Sequence, residues 1–355
     1  MSVEAASGEG VDSIPLFDGG IGVKDKVNEK ITGFATQVIH LNSYLRQSLE
    51  LDFAPLHPGE YGQTNSWIQE VVRRIVRFVV CFPSWMGTLP FAAFASAVTA
   101  VGNLSHSSLY RTKHGTFAGE INKSPKLCVL NPRMLTGINP QTNAGISIAS
   151  DRFDRLVSTI KDNNPDVVFL PEVNRFNAPS LAASLKERYH FFFTGMGEKM
   201  IGEDTSFFIA FRGALVKPPE YIPFRKQDWL MERGYFVMET EERIYVCTYK
   251  PTPGDWNEIF SLEFGDKKQV VLMGEMEPED SEILIQKGFI SGIPKDAQTT
   301  TSAPYMHYHS VEEGESTSVP LLYFSKMEGK TDVIPMHGSE NVAEALSDHA
   351  LILHR

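Results

Sequence analysis

Apolar residues recur at helical intervals near the start of the chain. Val27, Ile31, Phe34, Val38, Leu41 and Leu45 share one side of a helix predicted over 24–54, and a Pro/Gly-rich break at 55–63 closes it. The period returns from Trp67 to Phe82, where Val71, Val72, Ile75 and Val76 gather on one side and Arg73, Arg74 and Arg77 add positive charge, the pattern of a basic amphipathic helix. The 33 residues from Phe78 to Tyr110 contain no Asp, Glu, Lys or Arg. That length suffices to cross a bilayer core of about 30 Å. Pro83 and Pro90 divide the run into Phe78–Phe82 and Leu89–Val101, which favours a re-entrant or interfacial segment over one straight helix. Two expectations stay open: contact with a membrane surface through 67–110, where the arginines face anionic lipid, or a hairpin buried against the rest of the chain.

After Lys113 the pattern shortens. Leu127–Leu130, Val167–Leu170, Ser206–Phe211, Tyr235–Glu239, Ile244–Tyr249, Gln269–Met273, Leu321–Ser325 and Ala350–Leu353 each read as a strand rich in Val, Ile, Phe or Tyr. Asp151–Asn163 reads as a helix with Phe153, Leu156, Val157 and Ile160 inward, and Ala178–Tyr189 as a second with Leu181 and Leu185 inward. Strands that crowd together late in the chain imply a mixed sheet of α/β or α+β type. The expected division is a flexible tail over 1–23, a helical, hydrophobic region over 24–113 and an α/β domain over 114–355.

At 42% hydrophobic and 22% charged residues, the chain is outside the disordered, collagenous and coiled-coil classes. Its net charge is −11, and residues 124–355 hold 23 basic against 33 acidic side chains, which argues against a nucleic-acid partner. Glu258–Glu282, with eight acidic and two basic residues, is either a solvated face or a mouth that attracts cations. Cys81, Cys128 and Cys247 are too few and too scattered for a disulfide framework, so a reducing compartment is expected. The acidic, Gly-rich first 20 residues lack the pattern of a cleaved secretory signal, so the expected location is cytoplasmic or at a membrane.

Polar residues stand at the ends of several predicted strands, where α/β enzymes collect catalytic groups. Asn131 follows Leu127–Leu130, Glu172 follows Val167–Leu170, Glu275 and Glu277 follow Gln269–Met273, and Asp348-His349 precede the last strand. Their order, in LCVLNPRML, NNPDVVFLPEV, RIYVCTYKPTPGD, QVVLMGEMEPED and LSDHALILHR, resembles the endonuclease/exonuclease/phosphatase superfamily of metal-dependent phosphoesterases over about two thirds of the chain. That resemblance implies a four-layered two-sheet α/β sandwich with helices outside, here with a helical N-terminal extension. It implies Glu172 and Asp348 as ligands of Mg²⁺ or Mn²⁺, and His349 as general acid/base. Asn131 would hydrogen-bond phosphate or a carboxylate, Tyr249 would hold the place of the family's His or Tyr, and Glu275 and Glu277 would hold its Gly-Asp-x-Asn positions. GFISGIPKDAQTTTSAP, with Thr299–Thr301, is similar to its Thr-containing loop.

The departures weigh on the chemistry. Glu275 is longer by a methylene than the family's Asp, and misplacement of about 1 Å can cost about 10²-fold in rate. Glu277 replaces an amide donor with an acceptor. In VPLLYFSK, Leu322 stands where the family carries the Asp that orients its histidine. Two functions follow: a divergent metal-dependent phosphodiesterase or phosphatase with a lipid or other membrane-borne phosphoester as substrate, or an inactive member that serves as a binding platform. A nuclease is the lesser alternative. Arg133 and Lys250 lie near strand ends within reach of a phosphate, and Pro251–Gly254 is a turn at the cleft border. His307 and His309 form a weak metal candidate, and Trp229 and Tyr235 are expected to pack.

Overall fold

A computed structural model of the chain describes residues 31, 34–35, 38–39, 41–42, 45, 49, 67–104, 110–117, 119, 122, 124–132, 134, 149–173, 177–196, 207–225, 233–262, 268–295, 297, 319–326, 329–334, 336 and 350–355. Asp348, His349, Arg133, Thr299–Thr301, His307, His309, Trp229 and the tail over 1–23 lie outside these residues.

Two helices come first. The described residues of α1 lie within 31–49, and α2 runs from Trp67 to Leu104 without a break. The expectation that Pro83 and Pro90 interrupt the second helix is corrected: each removes one rung of the hydrogen-bond ladder, and long helical stretches on both sides carry the helix through. Hydroxyls beside the prolines bond back to the helix, Ser84 to Val80 O at 2.8 Å and Thr88 to Ser84 O at 3.0 Å. The buried-hairpin expectation fails as well, since Val79, Phe91 and Phe94 are 63%, 67% and 73% exposed. On α1, Ala35, Ile39 and Leu49 are buried and Val38 packs beside them, while Ile31, Phe34 and Leu41 of the same helical spacing face outward.

The remainder folds into two sheets. The first has seven strands in the order β1 (Arg111–His114), β4 (Phe191–Met196), β5 (Phe207–Phe211), β3 (Val167–Leu170), β2 (Leu127–Val129), β13 (Leu351–His354) and β12 (Thr331–Ile334). The second has six: β10 (Ile290–Ser291), β11 (Val319–Phe324), β9 (Gln269–Met276), β8 (Arg243–Tyr249), β7 (Gly234–Glu239) and β6 (Glu220–Pro223). Arg111–Lys113, grouped by sequence with the helical region, belong to β1 and pair with β4.

Strand alternation sorts side chains into layers. Leu127, Val129, Phe169, Phe236, Tyr245 and Met273 fill the space between the sheets. The intervening residues Cys128 and Val168 meet Leu156, Ile160, Leu181 and Leu185 of α3 (Ala149–Asn163) and α4 (Asn177–Leu185). On the far side, Val246 and Leu272 meet Trp256, Ile259 and Leu284 of α5 (Pro253–Phe260) and α6 (Asp280–Gln286). The result is the four-layered sandwich expected from sequence, with helices outside and a helical extension before it. The three cysteines are free thiols, and burial pushes the Cys128 thiol up to about 12, so it serves as a small apolar residue.

A buried ion pair ties the bottom of the first sheet. Asp166 accepts from Arg212 Nη1 at 2.9 Å, from the Lys126 backbone N–H at 2.8 Å and from Asn122, so its charge is satisfied inside the protein.

Candidate active site

Parallel pairing decides where the polar strand ends emerge. β2 runs parallel to β3 and β8 parallel to β9, so within each pair both C-terminal ends leave from the same edge. Helix α3 carries the chain from β2 to β3, and α5 carries it from β8 to β9. Of the residues predicted from sequence, Asn131, Glu172, Tyr249 and Glu275 occupy these four ends, while Asp348 and His349 lie outside the described residues. Continuing the two-residue period of β2, β8 and β9 turns Asn131, Tyr249 and Glu275 toward the space between the sheets, and Tyr249 stands opposite Glu275 in the register.

Two side-chain hydrogen bonds join the sheets there. Asn131 Nδ2 donates to Glu275 Oε2 at 2.5 Å, and the Tyr249 hydroxyl donates to Glu172 Oε1. Asn131, Glu172 and Glu275 are all buried, so both bonds run to charged acceptors shielded from water, where such bonds are strongest. Lys250 adds a cation: its Nζ is 3.6 Å from Glu275 Oε1, and its backbone N–H donates to Glu275 O at 2.8 Å. Glu275 is therefore inside β9, which extends through Gly274 to Met276, and does not follow the strand as the sequence suggested. Gly274 explains the extension. Its φ is 150°, and a Cβ would stand 1.8 Å from Thr248 O, so only glycine lets β9 lie this close to β8.

The backbone is unusual at the same tips. Glu172 and Lys250 have φ of 56° and 43°, a left-handed conformation that costs about 1–3 kcal/mol for a residue with a Cβ and that gathers at functional sites. The turn after Tyr249 is held from both sides. Arg233 donates to Lys250 O at 2.5 Å and to Asp255 Oδ2 at 2.9 Å, while Asp255 accepts from the Thr252 N–H at 2.7 Å and its hydroxyl at 2.8 Å. Pro253 and Gly254, read from sequence as part of a turn, are the first residues of α5. The Thr252-x-x-Asp255 spacing at its start was a readable helix-start signal. Arg233 carried none, since nothing near it in the chain marks a site.

A cleft of about 430 Å³ opens beside this group. Tyr249, Lys250, Arg233 and Thr252 form one part of its lining, and Glu277, Glu279 and Asp280 supply carboxylates. Burial pushes the Asp280 carboxyl above its ordinary range, and the nearby charges of Glu279 and Asp255 add to the rise. Glu277, half-buried one residue beyond β9, borders the cleft and does not join the hydrogen-bonded group. Leu322 faces the inter-sheet core, fully buried, in register with Met273. Tyr235 packs against Phe224, as expected.

No family model matches the sequence, and no curated protein matches it. Among solved structures the chain is similar to truncated TDP2 from Caenorhabditis elegans, at 14% identity over 65% of this chain and 97% of that one, with a TM-score of 0.46. It is also similar to D. rerio TDP2 complexed with single strand DNA product, at 17% identity over 66% and 98%, with a TM-score of 0.45. An endonuclease/exonuclease/phosphatase from Bacteroides vulgatus matches at 16% identity over 66% and 98%, with a TM-score of 0.45. The architecture is the one implied by resemblance to that superfamily.

The donor chemistry bears on a metal. Glu172 and Glu275 offer hard carboxylate oxygens of the kind Mg²⁺ and Mn²⁺ prefer. Among the described residues no three His, Cys, Asp or Glu side chains converge, so these two fit part of a coordination shell and not a whole one.

Proposed function

We propose that the chain is a divergent endonuclease/exonuclease/phosphatase protein that hydrolyses phosphoesters at the strand-tip cleft. The observation that supports this reading is the pair of bridges Asn131–Glu275 and Glu172–Tyr249. The first joins residues 144 positions apart, and together they draw polar groups from both sheets into one buried cluster. Burial of such a cluster is costly, and packing alone gives no reason for it.

Each residue then has a task. Tyr249 fixes the Glu172 carboxylate in one orientation. Asn131 and Lys250 hold Glu275, which orients a water molecule and takes its proton as the new P–O bond forms and the bond to the leaving oxygen breaks. Lys250, whose side chain is 34% exposed, and Arg233 present positive charge to phosphoryl oxygens at the cleft. Glu172, and Asp348 by resemblance, would hold a divalent ion, whose chemistry would be to offset charge on the phosphoryl group. By the same resemblance His349 protonates the leaving oxygen. The carboxylates of Glu277, Glu279 and Asp280 repel long polyanions, so a small or lipid-borne phosphoester suits the cleft better than nucleic acid.

Turnover of bis(p-nitrophenyl) phosphate and of a sphingomyelin-like substrate, with Mg²⁺ or Mn²⁺, tests this. Glu172→Gln and Glu275→Gln are expected to lower the rate on the order of 10²–10³-fold. Rates equal to wild type in both variants would reject the proposal. Leu322 favours a second reading, a binding platform without hydrolysis, because no carboxylate stands at that position to orient a histidine. Calorimetric binding of a phosphodiester without turnover would select it.

A further inference from the structure

The largest apolar side chains of the helix pair face away from the contact between its helices. Among the described residues, α1 meets α2 through a narrow patch in which small and β-branched side chains sit beside a polar bond. Ala35 and Ile39 pack on Ala95 with Val38 and Val98 beside them, and Asn42 Nδ2 donates to Trp85 O at 3.1 Å and to Thr88 Oγ1 at 2.9 Å. The large apolar side chains point the other way: Val76, Val79, Phe91 and Phe94 on α2 are 57–73% exposed, and Phe34 on α1 is 71% exposed. Water drives the opposite arrangement, with large apolar groups between helices and polar groups outside. In hydrocarbon the helices have no such drive, and small residues with a shared polar bond hold them together.

Length and charge agree with that solvent. Within α2 the segment Arg74–Val98 is 25 residues long with a mean hydropathy of 1.5, and from Phe78 to Leu104 it carries no charge. At about 1.5 Å per residue this exceeds a hydrocarbon core of about 30 Å. Arg73, Arg74 and Arg77 precede the uncharged run, where headgroups would lie. Pro83 and Pro90 inside a continuous helix, with hydroxyls bonded back to the preceding turn, are a further habit of helices in lipid.

We infer that α1 and α2 form a lipid-inserted pair, with α2 as the membrane-spanning element and its outward Val and Phe side chains in acyl chains. A soluble partner protein or a second copy of the chain would cover one side of α2. The exposed apolar side chains are spread over more than half of its circumference, which suits a surrounding solvent and not a docked surface.

Flotation of the full chain with phosphatidylcholine vesicles, with and without phosphatidylserine, tests this. The chain is expected to float with both compositions and to stay bound through high salt and alkaline carbonate. Phe91→Asp combined with Phe94→Asp should abolish flotation while the thermal transition of the sandwich, followed by near-UV dichroism, is unchanged. Val79→Asp with Val80→Asp is a second variant with the same expectation. Failure of the wild type to float, release by salt alone, or flotation that survives both double variants would overturn the inference.

Discussion

The sandwich and the helix pair obey opposite rules within one chain. In the sandwich, rings such as Phe236 and Phe169 are fully buried, and the buried charge of Asp166 is held by Arg212. In the helix pair, Phe94 faces outward and Asn42 makes its bonds inside. The difference teaches that hydrophobic content alone does not locate a core. What does is the side of each element on which the large residues lie, together with the polarity of what they meet.

The sharpest way to break this contrast is to truncate one ring in each region. Phe236→Ala should cost about 3–5 kcal/mol in denaturant unfolding of the sandwich, because the cavity forms among well-packed neighbours. Phe94→Ala should stay within about 0.5 kcal/mol in the same measurement. Equal losses would show that both rings belong to one core.

Glycines sharpen it further. Gly274→Ala forces a Cβ onto Thr248 O at a left-handed φ and should cost about 1–3 kcal/mol, with lost activity because Glu275 moves. Gly87→Ala in α2 meets no atom within 4 Å and should favour the helix by about 0.5–1 kcal/mol, read from far-UV dichroism in vesicles.

The smallest expected effect is on pH dependence. Burial, followed by the charge of Arg212, lowers the pKa of His190, whose Nδ1 accepts the Gly213 N–H at 3.1 Å and must be unprotonated to do so. The unfolded chain binds the proton more readily. This contribution is therefore complete above the ordinary histidine pKa of about 6.5 and is lost as pH falls toward the lower folded value. His190→Asn should flatten the fall of the melting temperature between about pH 7 and pH 5. An unchanged slope would place the titrating group elsewhere.

Much of the sandwich was legible because its strands are short, apolar and bounded by polar ends: Val167–Leu170 begins and ends where the pattern does. β1 (RTKH) and β12 (TDVI) were missed because an edge strand needs little apolar character when only one neighbour pairs with it. β4, FFFTGM, is buried throughout and shows no alternation to read. At the site, Asn131, Glu172, Tyr249 and Glu275 could be found because each stands at or just past a run of apolar strand residues, although β9 itself continues through Glu275. Their two bridges could not, since a bond across sheets depends on how the layers stack.

Hydrolysis of a phosphodiester in ¹⁸O-labelled water, with the monoester product followed by ³¹P resonance, tests most directly whether the joined strand tips carry out chemistry. The label should appear on phosphorus with the wild-type chain and divalent ion, and product should fall on the order of 10²-fold or more with Glu172→Gln. Label on the alcohol product, or equal product from both proteins, would contradict the account.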